Sequence, residues 1–231
     1  MKIGIMADIH GNAPALKAVL AALEGRVDKI LFLGDLTGYY VFVNECVAMW
    51  DKDRIIGIRG NHDEVMLQCI REDKPPEHSY YEKYGSGLER SWQNLSEDAR
   101  LLFHSLPIKR SISLSSVSIS LYHGAPWDPL EERIYPDFRD WYRFDTCEEN
   151  IILLGHTHYP LVKRLGVKLI INPGSVGQPR DDSSGACYAE LDLPSMEVKL
   201  NRVAYDAAAV IDDSMRHDPD KNILLRCLEN E

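Results

Sequence analysis

The chain has 231 residues, of which 45% are hydrophobic and 27% charged, and its formal net charge is −10. That length buries a sizeable core, the longest apolar runs are too short to span a bilayer, and the acidic balance argues against a broad nucleic-acid-binding face. The opening residues Met1 to Asp8 lack a leader's cleavage pattern, and the five cysteines show no zinc or redox spacing, so a cytoplasmic location is expected.

Lys2–Ala7 is a short continuous apolar run, the pattern of a strand covered on both faces. Ala13–Leu23 reads as a helix, with Pro14 near its start, alanines and leucines at helical spacing, and Gly25 just past its end. Lys29–Leu33 is a second strand, so the three segments suggest a βαβ unit. Asn44–Trp50 is a second crossover helix before a third strand, Arg54–Ile58. From Asp63 to about Lys109 the texture becomes helical. Val65–Arg71 and Ser86–Gln93 read as helices, and Ser96 caps another with an acidic first turn that runs to about His104. Pro75-Pro76 interrupts the stretch, which is expected to form a helical layer, at about 63–109, against one sheet edge. Three more strands follow, Val117–Tyr122, Asn150–Leu154 and Lys168–Ile171, and then a strand Val198–Tyr205 and a helix Ala207–Met215. There is no internal repeat, and residues 1–231 are expected to form a single α/β domain.

Almost every predicted strand runs into polar residues at its end. The first delivers Asp8-Ile9-His10, the second Gly34-Asp35, and the third leads to Gly60-Asn61-His62-Asp63. Val117–Tyr122 ends at His123-Gly124, and Asn150–Leu154 at Gly155-His156-Thr157-His158. Ligands bind beyond the carboxyl ends of strands in sheets with helical crossovers, so five strand ends offer His, Asp and Asn to one region. Any one of these pieces is weak evidence, and each could be a turn or cap residue; the ordered set of five is strong. Five of the eight histidines fall in it, and His78, His104 and His217 receive no role. Imidazole with carboxylate suits Mn, Fe, Zn, Co or Ni, whereas an all-oxygen set would favour Mg or Ca.

The order Asp-x-His, Gly-Asp, Gly-Asn-His-Asp, His-Gly and Gly-His-x-His resembles the calcineurin-like metallophosphoesterases. Asp8-Ile9-His10-Gly11-Asn12, Gly34-Asp35-Leu36-Thr37-Gly38-Tyr39 and Asn172-Pro173-Gly174-Ser175-Val176-Gly177-Gln178-Pro179-Arg180-Asp181 are similar to the small prokaryotic phosphodiesterase branch. The resemblance implies a four-layer α/β/β/α sandwich with two mixed β-sheets. It implies two divalent metal ions, Mn or Fe favoured, one on Asp8, His10, Asp35 and His158 and the other on Asp35, Asn61, His123 and His156. It also makes His62 the catalytic histidine. A metal-bridging hydroxide would then attack phosphorus, with His62 stabilising the transition state or protonating the leaving oxygen.

The expected activity is hydrolysis of phosphodiester bonds in a small or nucleotide-like substrate. Alternatives are a phosphomonoesterase, including a protein Ser/Thr phosphatase, and a non-catalytic scaffold of the same fold. Protein Ser/Thr phosphatases carry an acidic residue and then an arginine after Gly-Asp, where this chain has Gly38 and Tyr39. A scaffold should have lost a ligand or the histidine, and this chain has lost neither. Arg180 is a candidate for a phosphate oxygen, with a surface salt bridge as the alternative. Asn12 reads as a helix cap. Tyr39 and Tyr40 follow Asp35 closely and are candidates to stack on the leaving group, the alternative being packing against Asn44–Trp50. Oligomeric state is not legible.

Overall fold

The opening run forms β1 (Lys2–Met6) in the computed structural model, which describes residues 1–181 and 183–228. Asn12 caps α1 (Ala13–Leu23) by accepting the Ala15 N–H at 3.1 Å, with Pro14 in the first turn. β2 (Lys29–Phe32) pairs in parallel with β1, α2 (Val43–Ala48) follows, and β3 (Ile55–Gly57) pairs in parallel with β2. Next come α3 (Asn61–Glu72), α4 (His78–Tyr84), α5 (Gly87–Gln93) and α6 (Glu97–Ser105). The proline pair falls between α3 and α4, where two residues without an N–H cannot continue a helix.

β4 (Lys109–Leu114) and β5 (Val117–Tyr122) form an antiparallel hairpin. A long segment with one 3₁₀ helix (Trp141–Thr146) leads to β6 (Ile151–Leu153), parallel to β5. β7 (Pro160–Leu165) and β8 (Lys168–Pro173) are antiparallel, with β8 parallel to β6. β9 (Ala186–Asp192) returns antiparallel to β1, and β10 (Glu197–Val203) pairs with β9. α7 (Ala208–His217) and α8 (Asn222–Leu225) follow. Strand orders are β10-β9-β1-β2-β3 and β4-β5-β6-β8-β7, so both five-stranded sheets are mixed, as the resemblance implied.

The sheets pack face to face. Ile3, Ile5, Leu31 and Leu33 from one meet Ile119, Leu121, Ile151, Leu153, Leu169 and Ile171 from the other. Because side chains alternate along a strand, the intervening residues face outward and must be covered too. Met6, Ile30 and Phe32 lie under α1 and α2, and α3, α5 and α6 extend that layer with Met66, Leu67, Leu88 and Phe103. On the far side, Ile152, Leu154 and Ile170 are covered by Ile134 and by Phe144 of the 3₁₀ helix. This double burial explains the unbroken apolar runs. Val210 of α7 and Leu224 of α8 pack on Tyr39 and Tyr40 in the loop after β2. Among the described residues, no helix is long and apolar enough to cross a membrane.

Candidate metal centre

Two groups of side chains converge where β1, β2, β5 and β6 end. The first holds Asp8, His10 and His158. His10 Nδ1 lies 3.1 Å from the Thr37 carbonyl, and His158 Nδ1 lies 2.6 Å from the Gln178 carbonyl. A carbonyl only accepts, so each ring carries its proton on Nδ1 and presents a lone pair at Nε2. Those two nitrogens face each other at 3.0 Å, and Asp8 Oδ1 is 3.6 Å from His158 Nε2. Facing lone pairs beside a carboxylate repel unless a cation lies among them.

The second group holds Asp35, His123 and His156, with Asn61 alongside. His123 donates Nδ1–H to the Leu33 carbonyl at 2.8 Å. Its Nε2 is 3.2 Å from Asp35 Oδ2, 3.1 Å from Asn61 Oδ1 and 3.1 Å from His156 Nδ1. Asp35 Oδ2 is also 3.8 Å from His10 Nε2, so it stands between the groups. It is buried and has no hydrogen-bond partner among the described residues, and the same holds for His156 Nε2. Orphaned polar atoms at this depth are rare in folded proteins, and the donor set fits divalent transition ions.

The backbone is bent to make this arrangement. Asp8, His10, Asp35, His156 and His158 have φ of 56°, 52°, 60°, 67° and 63°. Left-handed conformations cost non-glycine residues about 1–3 kcal/mol each and cluster at functional sites. Hydrogen bonds hold the turns. The Asp63 carboxylate accepts from the backbone N–H of Asp35 at 2.8 Å, Thr37 at 3.0 Å and Gly60 at 3.0 Å. Ser175 donates to the Asp8 carbonyl at 2.7 Å, and the Asn172 amide donates to the Gly155 carbonyl at 2.7 Å. A Cβ on Gly60 would lie 2.7 Å from Asp35 Cγ. In Gly-Asn-His-Asp, therefore, the glycine makes room, the aspartate fastens the loops, and Asn61 and His62 begin α3 beside Asp35.

Burial pushes the Asp8 carboxyl up to about 8, with Asp35 adding to the rise, and pushes Asp63 up to about 7 for the same two reasons. Burial alone would lower His123, but the adjacent Asp35 raises it to about 9. Burial opposes the Asp35 charge, yet His123 and then His62 hold that carboxyl well below its usual range. Burial lowers His10 and His158 well below normal, His156 to about 2 and His62 to about 4. Mostly neutral imidazoles thus crowd three buried carboxylates, an arrangement that cations relieve.

His62 donates its backbone N–H to Asp35 Oδ1 at 2.9 Å, and its ring lies within ligand span of His10 and Asp35. Its Nδ1 is hydrogen-bonded to the Tyr80 hydroxyl. A cavity of about 280 Å³ opens above, lined by Asp35, His62, His156, His158 and Arg180. Arg180 donates from one terminal nitrogen to the Tyr39 hydroxyl at 2.6 Å and to Gln178 Oε1 at 3.0 Å. Among the described residues no carboxylate pairs with it, so the salt-bridge alternative is not observed.

Of the two tyrosines expected as stacking candidates, only Tyr39 reaches the cavity. Tyr40 is buried away from the cavity and donates its hydroxyl to the Leu224 carbonyl at 2.9 Å, because α8 covers the loop. Tyr39 lines the cavity but is only 3% exposed. Its ring is wedged at 4.6 Å from His10 and 5.5 Å from Tyr84, leaving the hydroxyl to orient Arg180. Tyr84 and Lys83 of α4, with Arg133 and Tyr135 from the segment after β5, also line the cavity. No strand-end motif flags these four, and α4 carries no apolar pattern strong enough to announce itself.

The model of the calcineurin-like phosphoesterase superfamily domain matches residues 1–196. Protein MJ0912 of Methanocaldococcus jannaschii is 31% identical over 223 residues, covering 88% of each chain. A metallophosphoesterase from Sphaerobacter thermophilus superposes with a TM-score of 0.79 at 28% identity over all of both chains. Protein PH1004 of Pyrococcus horikoshii gives a TM-score of 0.79 at 23% identity over 96% of both.

Proposed function

The chain belongs to the calcineurin-like phosphoesterase superfamily, and from that premise we propose that it is a cytoplasmic, dinuclear metal-dependent phosphodiesterase acting on a small or nucleotide-like ester. The observation that carries this reading is the buried Asp35 Oδ2, 3.2 Å from His123 Nε2 and 3.8 Å from His10 Nε2, standing between two groups of converging ligands. In this reading one ion takes Asp8, His10, Asp35 and His158, and the other takes Asp35, Asn61, His123 and His156. Mn or Fe is favoured among the borderline metals that suit such donors. When bound, divalent ions neutralise charge on the phosphoryl oxygens and lower the pKa of a coordinated water.

The chain's own residues supply the rest. The Thr37, Gln178 and Leu33 carbonyls fix the tautomers of His10, His158 and His123, so those rings need no reorientation. Arg180 is held from one side by Tyr39 and Gln178, which leaves its other N–H groups for a phosphoryl oxygen. His62 donates a hydrogen bond or a proton to the departing ester oxygen.

Arg180 is the partly buried cation of the cavity, whereas Lys83 and Arg133 stand exposed at its rim. The reacting phosphate of a diester carries one charge fewer than that of a monoester, and one guanidinium beside the metals suits it. We therefore expect higher kcat/KM on an activated aryl phosphodiester than on the matching monoester, measured with the same metal loading. Efficient dephosphorylation of phosphoserine peptides with little diesterase activity would reverse the assignment.

A further inference from the structure

The His62 ring sits among aromatic neighbours, with centroid distances of 5.0 Å to His10, 5.4 Å to Tyr39, 5.5 Å to Tyr80 and 4.7 Å to Tyr84. Such packing holds the plane of an imidazole. It does not choose between the ring and its copy turned by half a rotation, which exchanges Nδ1 for a carbon. A hydrogen bond to one nitrogen does choose. The hydroxyl of Tyr80 supplies it at Nδ1, and among the described residues this hydroxyl has no other hydrogen-bond partner. Gly38 keeps that side of the ring open, since a Cβ there would lie 3.1 Å from the same Nδ1.

We propose that Tyr80 is the positioning residue of His62: its hydroxyl, delivered by α4, fixes the ring so that Nε2 is the nitrogen available to the cavity. In the neutral pair the phenol O–H donates to Nδ1, which puts the ring proton on Nε2. Nε2–H is then a hydrogen-bond donor for the departing ester oxygen. Neither ring nitrogen has to exchange its proton for this. The helix bearing Tyr80 thereby becomes part of the site although it contributes no candidate ligand. The same helix lines the cavity with Lys83 and Tyr84, so its packing and the histidine's orientation are coupled.

This inference rests on the phosphoesterase reading of the site, and two measurements keep the two apart. Long-range ¹H–¹⁵N correlation of the His62 ring, on metal-free full chain at a pH where the ring is neutral, should show the Nε2–H tautomer. Tyr80→Phe should shift the Nδ1 resonance and mix the tautomers. Kinetics with Mn-loaded protein form the second arm. Tyr80→Phe should lower kcat on an ester with a poor leaving group by about 10- to 100-fold, the scale of a misplaced catalytic group, with KM within about twofold. In a His62→Ala background the same substitution should cost less than about twofold, because there is no ring left to position. Identical ¹⁵N shifts in wild type and Tyr80→Phe would overturn the proposal, as would an equal loss of rate with and without His62. If wild type hydrolyses no ester with any metal, the functional reading fails, and the spectra still decide the Tyr80–His62 contact.

Discussion

Asp35→Asn is expected to bring bound metal below two ions per chain and to lower turnover by about 10³-fold or more. Lewis-acid stabilisation of the phosphoryl oxygens is worth several kcal/mol, and each 1.36 kcal/mol is tenfold in rate. The substitution keeps the side chain's shape. An asparagine Oδ1 can still accept the His62 N–H that now reaches Asp35 at 2.9 Å. What changes is the atom between the two groups. Oδ2 becomes an amide that either points N–H donors at a cation or loses the contact with His123 Nε2, now 3.2 Å away. The fold should survive, because the Asp35 charge opposes those of the buried Asp8 and Asp63. Circular dichroism with elemental analysis checks both halves. A well-folded Asp35→Asn protein that retains two ions would remove the bridging role.

His62→Ala should give the opposite pairing: metal retained, rate lost. General acid–base groups contribute about 10²–10⁴-fold, and the loss should be largest on esters whose leaving oxygen most needs a donor. The ring's contacts set this pairing. Nδ1 is engaged by Tyr80, and the residue's link to Asp35 runs through its backbone N–H, which alanine keeps. Since the ring lies within ligand span of His10 and Asp35, the measurement has to include metal content. Loss of an ion from His62→Ala would make the residue a ligand. A rate within a factor of two of wild type on a poor-leaving-group ester would take it out of the mechanism.

Much of this frame was legible because the strands that carry the candidate ligands are buried on both faces. β1, β2 and β6 read as short apolar runs and β5 as apolar residues alternating with Ser118 and Ser120, all ending in polar residues, and the side chains at those ends do come together. β4 and β7 were not legible. They are edge strands whose exposed and half-buried positions hold Lys109, Arg110, Lys163 and Arg164, the charges that keep an edge from pairing further. β9 is Ala-Cys-Tyr-Ala-Glu-Leu-Asp, a stretch of low strand propensity that burial against β1 overrides.

At the site, residue type and order pointed to the ligand groups, but backbone φ and the carbonyl partners of the histidine rings are tertiary facts. Asp63 stood inside a recognised motif with no role, since two of its three backbone partners, Asp35 and Thr37, lie on the loop after β2 and are brought to it only by folding, while the third, Gly60, is its local cap. The Tyr40 expectation failed because proximity in sequence to Asp35 says nothing about α8, which arrives from the end of the chain and covers the phenol. Tyr80 and Lys83 were invisible for the same reason, on a helix whose only signal was the proline pair before it.

The most direct test of the account is to strip the wild-type chain of metal and add Mn back in steps, following bound metal and hydrolysis of an activated aryl phosphodiester in the same samples. Hydrolysis should be absent from the stripped protein and should rise with metal to a plateau at two tightly bound ions per chain. Undiminished hydrolysis without metal, or a chain filled with Mn, Fe, Zn, Ni or Co in turn that cleaves neither diester nor monoester, would contradict it.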